Sequence, residues 1–330
     1  AADLSSGKRR RELPWHQRLA CRLLCTGHTP RHIAFIMDGN RRYAQKQNIE
    51  RIVGHRQGYS TLLEVLKWCN ELNVKIVTVY AFALDNFKRS KHEVDSLMEL
   101  AAQKISEMLD SEKEISQYSV RVNILGDLER LPPKLKRAMA KVMQSTRGHT
   151  KLTLNIAFAY SAKQEIADAV ALTASGVERG DILVEDIDMS LVERCLYTDD
   201  QPFPDLLVRT SGETRLSDFL VSQCRRGTCL SFIQPLWPEF SFWQFWGIIF
   251  HYQRQHRGLS TERQKLIALE GNKFDGCEDK ESKSHLYLQA ERIKKFLSRC
   301  SRERELYIDR LAVNNTTRNS ALDETENSFR

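Results

Sequence analysis

Residues 32–44 read HIAFIMDGNRRYA, an apolar run that ends abruptly in an aspartate, a glycine, an asparagine and two arginines. The run before Asp38 is almost continuously apolar, which is typical of a strand buried on both faces of a parallel sheet. Gly39 lets the backbone come close to a ligand, and the N–H groups of a helix that begins there would face an anion. Asp38 adds a hard oxygen ligand for Mg²⁺. The stretch therefore predicts a strand, a turn that binds a phosphate and its metal, and a helix.

A simpler explanation is an ordinary strand-to-helix turn in which Asp38 caps the helix and the two arginines lie in solvent. Two later segments favour the anion site, because each also contains an apolar run: YAFALDNFKRS (80–90) and PDLLVRTSGETRLSDF (204–219). They supply further charged and small polar side chains: Asp85, Asn86, Lys88, Arg89, Arg209, Ser211, Arg215 and Ser217. Since ligands of a parallel sheet bind beyond the carboxyl ends of its strands, three such ends predict one shared polyanion site.

The segment ERIVGHRQG (50–58) places Arg51 and His55 near the start of a further helix, within reach of the same loop. A histidine at such a place more often caps or packs a helix than binds a ligand, so both interpretations stay open. The chain has no glycine-rich loop of the G-x-x-x-x-G-K-[ST] or G-x-G-x-x-G kind. A nucleotide is therefore not the obvious ligand.

Apolar and β-branched runs alternate with segments of helical periodicity. The runs lie at 32–37, 75–82, 120–125, 151–160, 205–210 and 229–234, and the helical segments at 58–73, 90–118, 132–148 and 161–180. The alternation predicts an α/β fold with a mainly parallel six-stranded sheet flanked by helices. We expect an amino-terminal amphipathic helical segment (1–30), the α/β domain (31–258), peripheral carboxyl-terminal helices (259–313) and a disordered tail (314–330).

The composition limits the classes of partner. The chain has 330 residues and a formal net charge of +7, which suits phosphorylated substrates, an anionic membrane surface or nucleic acid. Its eight cysteines include no C-x-x-C pair, which indicates reduced thiols rather than disulfides or a zinc site. No apolar run approaches the roughly 18 residues of a membrane span, and the amino end lacks the apolar core of a signal peptide. We expect a soluble or peripheral protein in the cytosol.

Five motifs in order resemble the cis-prenyltransferase family, and most closely its eukaryotic dehydrodolichyl diphosphate synthase branch. They are HIAFIMDGNRRYA, GHRQG, YAFALDNFKRS, PDLLVRTSGETRLSDF and LWPEFSFWQF. The resemblance implies the cis-prenyltransferase fold, with residues 31–258 as the catalytic domain and an apolar tunnel for the growing chain. The predicted helices at 58–73 and 90–118 are its natural walls, through residues that ordinary core packing would also explain: Leu62, Leu66, Leu97, Leu100 and Ile105.

The resemblance also implies a reaction and a set of site residues. Isopentenyl diphosphate units would be added to all-trans farnesyl diphosphate, giving a long-chain cis-polyprenyl diphosphate for dolichol synthesis and protein glycosylation. The implied catalytic residues are Asp38, which would bind the cofactor Mg²⁺, Asn86 and Arg42. The implied residues for the allylic diphosphate are Gly39, Asn40, Arg41, Arg42, Arg51 and His55. Those implied for isopentenyl diphosphate are Arg42, Arg89, Arg209, Arg215 and Ser217.

One point of the implied chemistry stays open, and one feature of the sequence departs from the family. Either Asn86 or a diphosphate oxygen takes up the proton that the reaction releases. Thr214 and Cys229 replace a histidine and a glutamate that touch metal in bacterial members. We therefore expect a metal site built from Asp38 and the phosphates of the substrates.

The partner and the location are further implications of the resemblance. The partner subunit of the eukaryotic enzyme ends near an R-x-G that completes the isopentenyl site, whereas this sequence ends in NSFR. We expect a heteromer with a membrane-anchored subunit similar to the Nogo-B receptor, in peripheral contact with the cytosolic face of the endoplasmic reticulum membrane. The interface would include LWPEFSFWQFWGIIF (236–250), although core packing gives the same composition. The amphipathic segment either touches the membrane, covers the tunnel mouth or packs on the domain.

Two rival functions are considered. A catalytically silent partner subunit of the same fold would not need the complete set of Asp38 and strand-end arginines. A nucleic-acid-binding module is suggested by the net charge alone. Because the arginines fall at strand ends rather than along one stripe with interleaved aromatic residues, we expect no nucleic-acid partner.

Overall fold

Six parallel strands form one sheet in the described part of the chain. A computed structural model of the protein describes residues 13–110, 119–199, 201–225, 227–271 and 280–313. The strands are β1 (His32–Ile36), β2 (Ile76–Ala83), β3 (Val120–Leu125), β4 (Leu152–Tyr160), β5 (Leu206–Arg209) and β6 (Cys229–Phe232). Their order is β3-β4-β2-β1-β5-β6, and each neighbouring pair is parallel. The predicted fold class is confirmed.

The strand order brings the three predicted polar strand ends together. β1 lies between β2 and β5, and its last residue, Ile36, pairs with Tyr80 of β2 and with Arg209 of β5. All five residues of β1 are buried, as expected for a strand covered on both faces. Because parallel strands end at the same edge, the segments that follow them lie side by side beyond the sheet.

Nine α-helices accompany the sheet in the described residues. They are α1 (Trp15–Leu24), α2 (Asn40–Lys46), α3 (Arg51–Glu71), α4 (Lys91–Asp110), α5 (Pro133–Ser145), α6 (Ala162–Glu178), α7 (Met189–Arg194), α8 (Phe242–Gly271) and α9 (Lys280–Ala312). The α3 helix begins at Arg51, earlier than the predicted residue 58. Two glycines lower the helix propensity of its first turns, but they are needed for close packing. A Cβ on Gly54 would lie only 2.6 Å from the Asn40 carbonyl oxygen.

The carboxyl-terminal helices are joined to the α/β domain in two ways. The predicted boundary between residues 258 and 259 falls inside the continuous helix α8. The α9 helix buries Phe296 and Ile308 against the domain. The other segment limits stay predictions. Residues 1–12, the end of the predicted helix at 111–118 and the predicted tail at 314–330 lie outside the described residues.

The aromatic stretch at 236–250 packs largely into the core of this chain. Trp237 is 1% exposed and its ring centroid lies 5.9 Å from that of Phe35. Phe245 is fully buried, 5.6 Å from the ring of Trp68. Core packing therefore explains most of this composition. Two rings remain exposed on the outer face of α8, namely Trp243 and Phe250.

The α1 helix packs along α8. The indole of Trp246 donates to the Ala20 carbonyl at 3.1 Å, and the amide of Gln253 donates to the Leu24 carbonyl at 2.7 Å. The outer face of α1 exposes three large apolar residues: Trp15, Leu19 and Leu23. A helix is thus present within the predicted amino-terminal segment and packs on the domain. No helix among the described residues is both long and apolar enough to cross a membrane.

Candidate active site

A cavity of about 690 Å³ begins at the carboxyl ends of β1, β2 and β5 and extends between α3, α4 and the sheet. Its mouth is lined by charged and polar residues, and its depth by apolar ones. All five predicted tunnel residues line it: Leu62, Leu66, Leu97, Leu100 and Ile105. One continuous cavity thus offers an anion-binding end and an apolar end.

The turn after β1 is fixed by backbone geometry. Gly39 has a φ of 108°, which residues with a side chain rarely adopt, and a Cβ there would lie 3.0 Å from Leu236. The carbonyl of Asp38 accepts from the Trp237 N–H at 2.9 Å and from the Thr210 hydroxyl at 2.7 Å. The Asp38 carboxylate therefore projects from a rigid turn at the cavity mouth.

Arg209 lies beside that carboxylate at the end of β5. Its side chain is 4% exposed, and it donates to Asp38 Oδ2 at 2.9 Å. The same guanidinium donates to the Ser217 hydroxyl at 2.7 Å and to the Arg215 carbonyl. A buried guanidinium held by several acceptors is a preorganised site for an anion.

Arg42 of α2 and Arg215 of the loop after β5 add two more guanidiniums at the mouth. Arg42 donates to the Ser211 hydroxyl and lies 3.7 Å from the Asp38 carboxylate. Glu213 lies 3.6 Å from Arg42 and 2.6 Å from Arg215. Because Arg42 and Arg215 are 48% and 67% exposed, both guanidiniums remain accessible to a ligand from solvent.

Glu93 joins three more arginines on the other side of the mouth. Its carboxylate lies 2.7 Å from Arg51, 3.1 Å from Arg89 and 3.6 Å from Arg41. Burial alone would raise the pKa of Glu93, but the three guanidiniums outweigh burial and lower that pKa below its usual range. Glu93 is therefore an anion at neutral pH. Arg89 also donates to the Asn86 side-chain oxygen at 2.9 Å.

His55 is neutral at physiological pH. Burial lowers its pKa to about 4, Arg89 and Arg41 act in the same direction, and Glu93 opposes them. Its buried Nε2 has no hydrogen-bond partner in the described structure. One turn further along α3, Gly58 leaves room for the Asn40 side chain, since a Cβ there would lie 2.2 Å from Asn40 Oδ1.

The structure brings nearly all predicted site residues to one cavity. Its lining includes Asp38, Gly39, Asn40, Arg41, Arg42, His55, Asn86, Arg89, Arg209, Arg215 and Ser217. Arg51 is not part of the lining and contacts Glu93 instead. Their roles in substrate binding stay predictions. Sequence reasoning missed Glu93 and Glu213, although Glu93, in the first turn of α4, follows Arg89 by four residues, a spacing that signals an ion pair.

The acidic groups of the site suit one kind of metal binding. No cluster of three His, Cys, Asp or Glu residues suited to holding a metal ion occurs in the described ranges. Cys229 lies buried at the start of β6 with its thiol 3.4 Å from Gln255. Mg²⁺ is commonly bound by one or two carboxylates together with substrate phosphates. Asp38, which is partly exposed at the mouth, fits that mode.

The chain is similar to known proteins over most of its length. The family model described as putative undecaprenyl diphosphate synthase matches residues 36–260. Over 252 residues the chain is 46% identical to the human dehydrodolichyl diphosphate synthase complex subunit DHDDS, covering 76% of this chain and 75% of the human protein. Over 231 residues it is 43% identical to the corresponding complex subunit of Schizosaccharomyces pombe, covering 70% of this chain and 88% of the yeast protein.

A solved structure has the same architecture. Lavandulyl diphosphate synthase from Lavandula x intermedia, in complex with dimethylallyl diphosphate, superposes with a TM-score of 0.65 at 30% identity. The superposition covers 68% of this chain and 95% of the lavender protein.

Proposed function

The chain belongs to the prenyltransferase family of the undecaprenyl diphosphate synthases, and on that premise we propose that it is the catalytic subunit of a dolichol-forming cis-prenyltransferase. It adds isopentenyl diphosphate units to all-trans farnesyl diphosphate and gives a long-chain dehydrodolichyl diphosphate for protein glycosylation. The observation that carries this proposal is the single cavity with an arginine-rich mouth and an apolar depth. Two diphosphates require the first part, and a growing hydrocarbon chain requires the second.

The residues of the mouth divide between the two substrates. The allylic diphosphate is bound by Gly39, Asn40, Arg41 and Arg42, with Arg51 and His55 nearby. Five groups bind isopentenyl diphosphate: Arg42, Arg89, Arg209, Arg215 and Ser217. Electrostatic stabilisation of the leaving diphosphate makes the main contribution to catalysis, because negative charge develops on its oxygen as the allylic C–O bond breaks. The electron pair of that bond leaves with the diphosphate.

The new carbon–carbon bond forms when the isopentenyl double bond attacks C1 of the allylic chain, and a proton is then lost to give the cis double bond. The oxygen of Asn86 already accepts a hydrogen bond from Arg89, and a neutral amide is a weak base. Asn86 therefore orients Arg89 beside the reacting carbons. A diphosphate oxygen is the proton acceptor in this scheme.

Mg²⁺ is the proposed cofactor. Asp38 would hold it together with diphosphate oxygens, and the ion would supply further neutralisation of the leaving group's charge. In the absence of substrate, Arg209 balances the charge of Asp38.

The active form is proposed to be a heteromer at the cytosolic face of the endoplasmic reticulum membrane. The human and yeast relatives are subunits of a complex by name, which supports a partner for this chain. We propose a membrane-anchored partner similar to the Nogo-B receptor, with peripheral membrane contact. Exposed rings on α1 and α8 support an additional contact surface: Trp15, Trp243 and Phe250.

Incorporation of radiolabelled isopentenyl diphosphate into a butanol-soluble chain tests this function. The assay contains farnesyl diphosphate and Mg²⁺, with this chain alone or with the partner. Asp38→Ala is expected to lower incorporation by about 100- to 1,000-fold, because it removes a group that stabilises transition-state charge. Asp85→Ala is the matched control, since Asp85 follows the neighbouring strand, is exposed and is absent from the cavity lining. Incorporation that persists in Asp38→Ala would place the chemistry on another subunit.

A further inference from the structure

The loop after β5 has an unusual concentration of left-handed backbone. Ser211, Ser217, Asp218 and Leu220 have φ angles of 79°, 51°, 58° and 47°. Residues with side chains rarely adopt such values. Conformations of this kind persist where contacts on all sides impose them, and they cluster at ligand-binding sites.

Asp218 anchors this loop to the start of α6. Its Oδ2 accepts a hydrogen bond from the Ser161 hydroxyl at 2.6 Å, and its carbonyl accepts from the Ala162 N–H at 2.9 Å. Ser161 also caps α6, since its hydroxyl accepts from the Gln164 N–H at 3.3 Å. The loop is thereby tied to the end of β4, a rigid part of the sheet.

Two stacked aromatic rings complete the anchor: buried Phe219 and partly exposed Tyr80, which lines the cavity. Phe219 is fully buried and stacks on Tyr80 at 4.6 Å between ring centroids. The Tyr80 hydroxyl lies 3.3 Å from the carbonyl of Ser217. Burial raises the pKa of Tyr80, so its phenol keeps the proton and acts as the donor. The same hydroxyl lies 3.3 Å from the Tyr160 carbonyl, so it links Ser217 to the end of β4. Ser217 is thus held through its own carbonyl and through its neighbour Asp218.

The anchored residues are those that hold Arg209. The Ser217 hydroxyl and the Arg215 carbonyl both accept from the Arg209 guanidinium. Asp218 itself is absent from the cavity lining. It therefore acts on the site through the loop rather than by touching a ligand.

We propose that Asp218 is a positioning residue for the second diphosphate site: its bond to Ser161 holds the loop in the one conformation that orients Arg209. This inference rests on the proposed function, because it concerns the half of the site assigned to isopentenyl diphosphate. Loss of the bond lets the loop relax from its left-handed conformation, and Arg209 loses two of its acceptors.

Steady-state kinetics of the full chain in its active complex test the proposal. Asp218→Ala is expected to raise KM for isopentenyl diphosphate about ten- to a hundredfold, the range for loss of a hydrogen bond to a charged group. KM for farnesyl diphosphate stays near the wild-type value. Asp218→Asn restores KM, because its amide oxygen still accepts from Ser161. Ser161→Ala raises KM in the same direction, and the double variant adds little to either single change.

Asp188→Ala is the matched control. Asp188 also accepts from a helix N-terminus, with its carboxylate 2.8 Å from the Leu191 N–H, but it lies outside the cavity lining. Both KM values of this variant should equal those of the wild type.

The inference is overturned by an unchanged KM for isopentenyl diphosphate in Asp218→Ala, or by an equal rise of both KM values. If Asp218→Ala does not fold, Ser161→Ala decides in the same way. A wild-type complex that incorporates no isopentenyl diphosphate would refute the proposed function instead, so the two failures are distinguishable.

Discussion

His55 carries a stability cost that depends on pH. Its folded pKa is about 4, whereas an unperturbed histidine titrates near 6.5. Between these values the unfolded chain binds a proton that the folded chain does not, so this residue makes stability fall as the pH is lowered from about 6.5 towards 4. The full difference between the folded and unfolded pKa values corresponds to roughly 3 kcal/mol of unfolding free energy, at 1.36 kcal/mol per pKa unit.

We predict that His55→Gln has a shallower pH dependence of stability than the wild type. Urea unfolding at pH 8, 6.5 and 4.5 measures the free energy of unfolding of the wild type and of the variant. At pH 8 His55 is neutral in both the folded and the unfolded state. The difference in unfolding free energy between the two chains at this pH is therefore the part of the mutational effect that does not depend on titration. Buried His32, whose pKa burial also lowers to about 4, is present in both chains and cancels. An equal change of unfolding free energy with pH in the two chains would contradict the prediction.

At the level of elements, Glu93 joins three segments that are separate in sequence. It lies in the first turn of α4 and contacts Arg41 of α2, Arg51 of α3 and Arg89 before α4. The helices that border the cavity mouth are therefore linked by one carboxylate. Arg41 and Arg51 are 52% and 65% exposed, so solvent screens these pairs and their contribution to stability is below about 1 kcal/mol each.

Glu93→Gln should accordingly affect activity more than stability. The amide keeps the size of the side chain but loses the charge that orients the guanidiniums. We expect kcat/KM for farnesyl diphosphate to fall by about tenfold, or 1.4 kcal/mol, with a melting temperature close to that of the wild type. Glu99→Gln, an exposed change on the same helix, is the control. A rise in kcat/KM would show instead that Glu93 competes with the substrate for the arginines.

The sequence was sufficient to predict the six strands, the main helices between them and most of the residues that lie at the cavity mouth. Doubly buried strands are visible as continuous apolar runs, and parallel topology places their polar ends at one edge, which is why Asp38, Arg89 and Arg209 could be grouped. Long-range contacts were not visible. Nothing local indicates that Ser161 meets Asp218, and left-handed conformations at serine and aspartate have no glycine to mark them.

At the scale of the whole molecule, α9 connects two regions of the domain. At its middle, Phe296 packs on Gly176 of α6, where a Cβ would lie 2.5 Å from the ring. Near its end, Ile308 joins a buried cluster with Met139 of α5, and Asp309 lies 2.8 Å from Arg147. Met139 lines the cavity. The outer helix α9 thus supports α5, which forms part of the apolar wall.

This support predicts an effect of α9 on product length. Ile308→Ala leaves space behind α5, so Met139 can retreat and the cavity can lengthen. We expect products longer by one or more isoprene units, together with a loss of about 2–5 kcal/mol in unfolding free energy. Phe296→Ala is the matched control, because it costs a similar 3–5 kcal/mol or so in a cluster without cavity-lining residues. Chromatography of the dephosphorylated products measures the distribution. A similar shift of product length in both variants would attribute the change to general loosening of α9. An unchanged product length in Ile308→Ala would show that α9 does not influence the apolar wall.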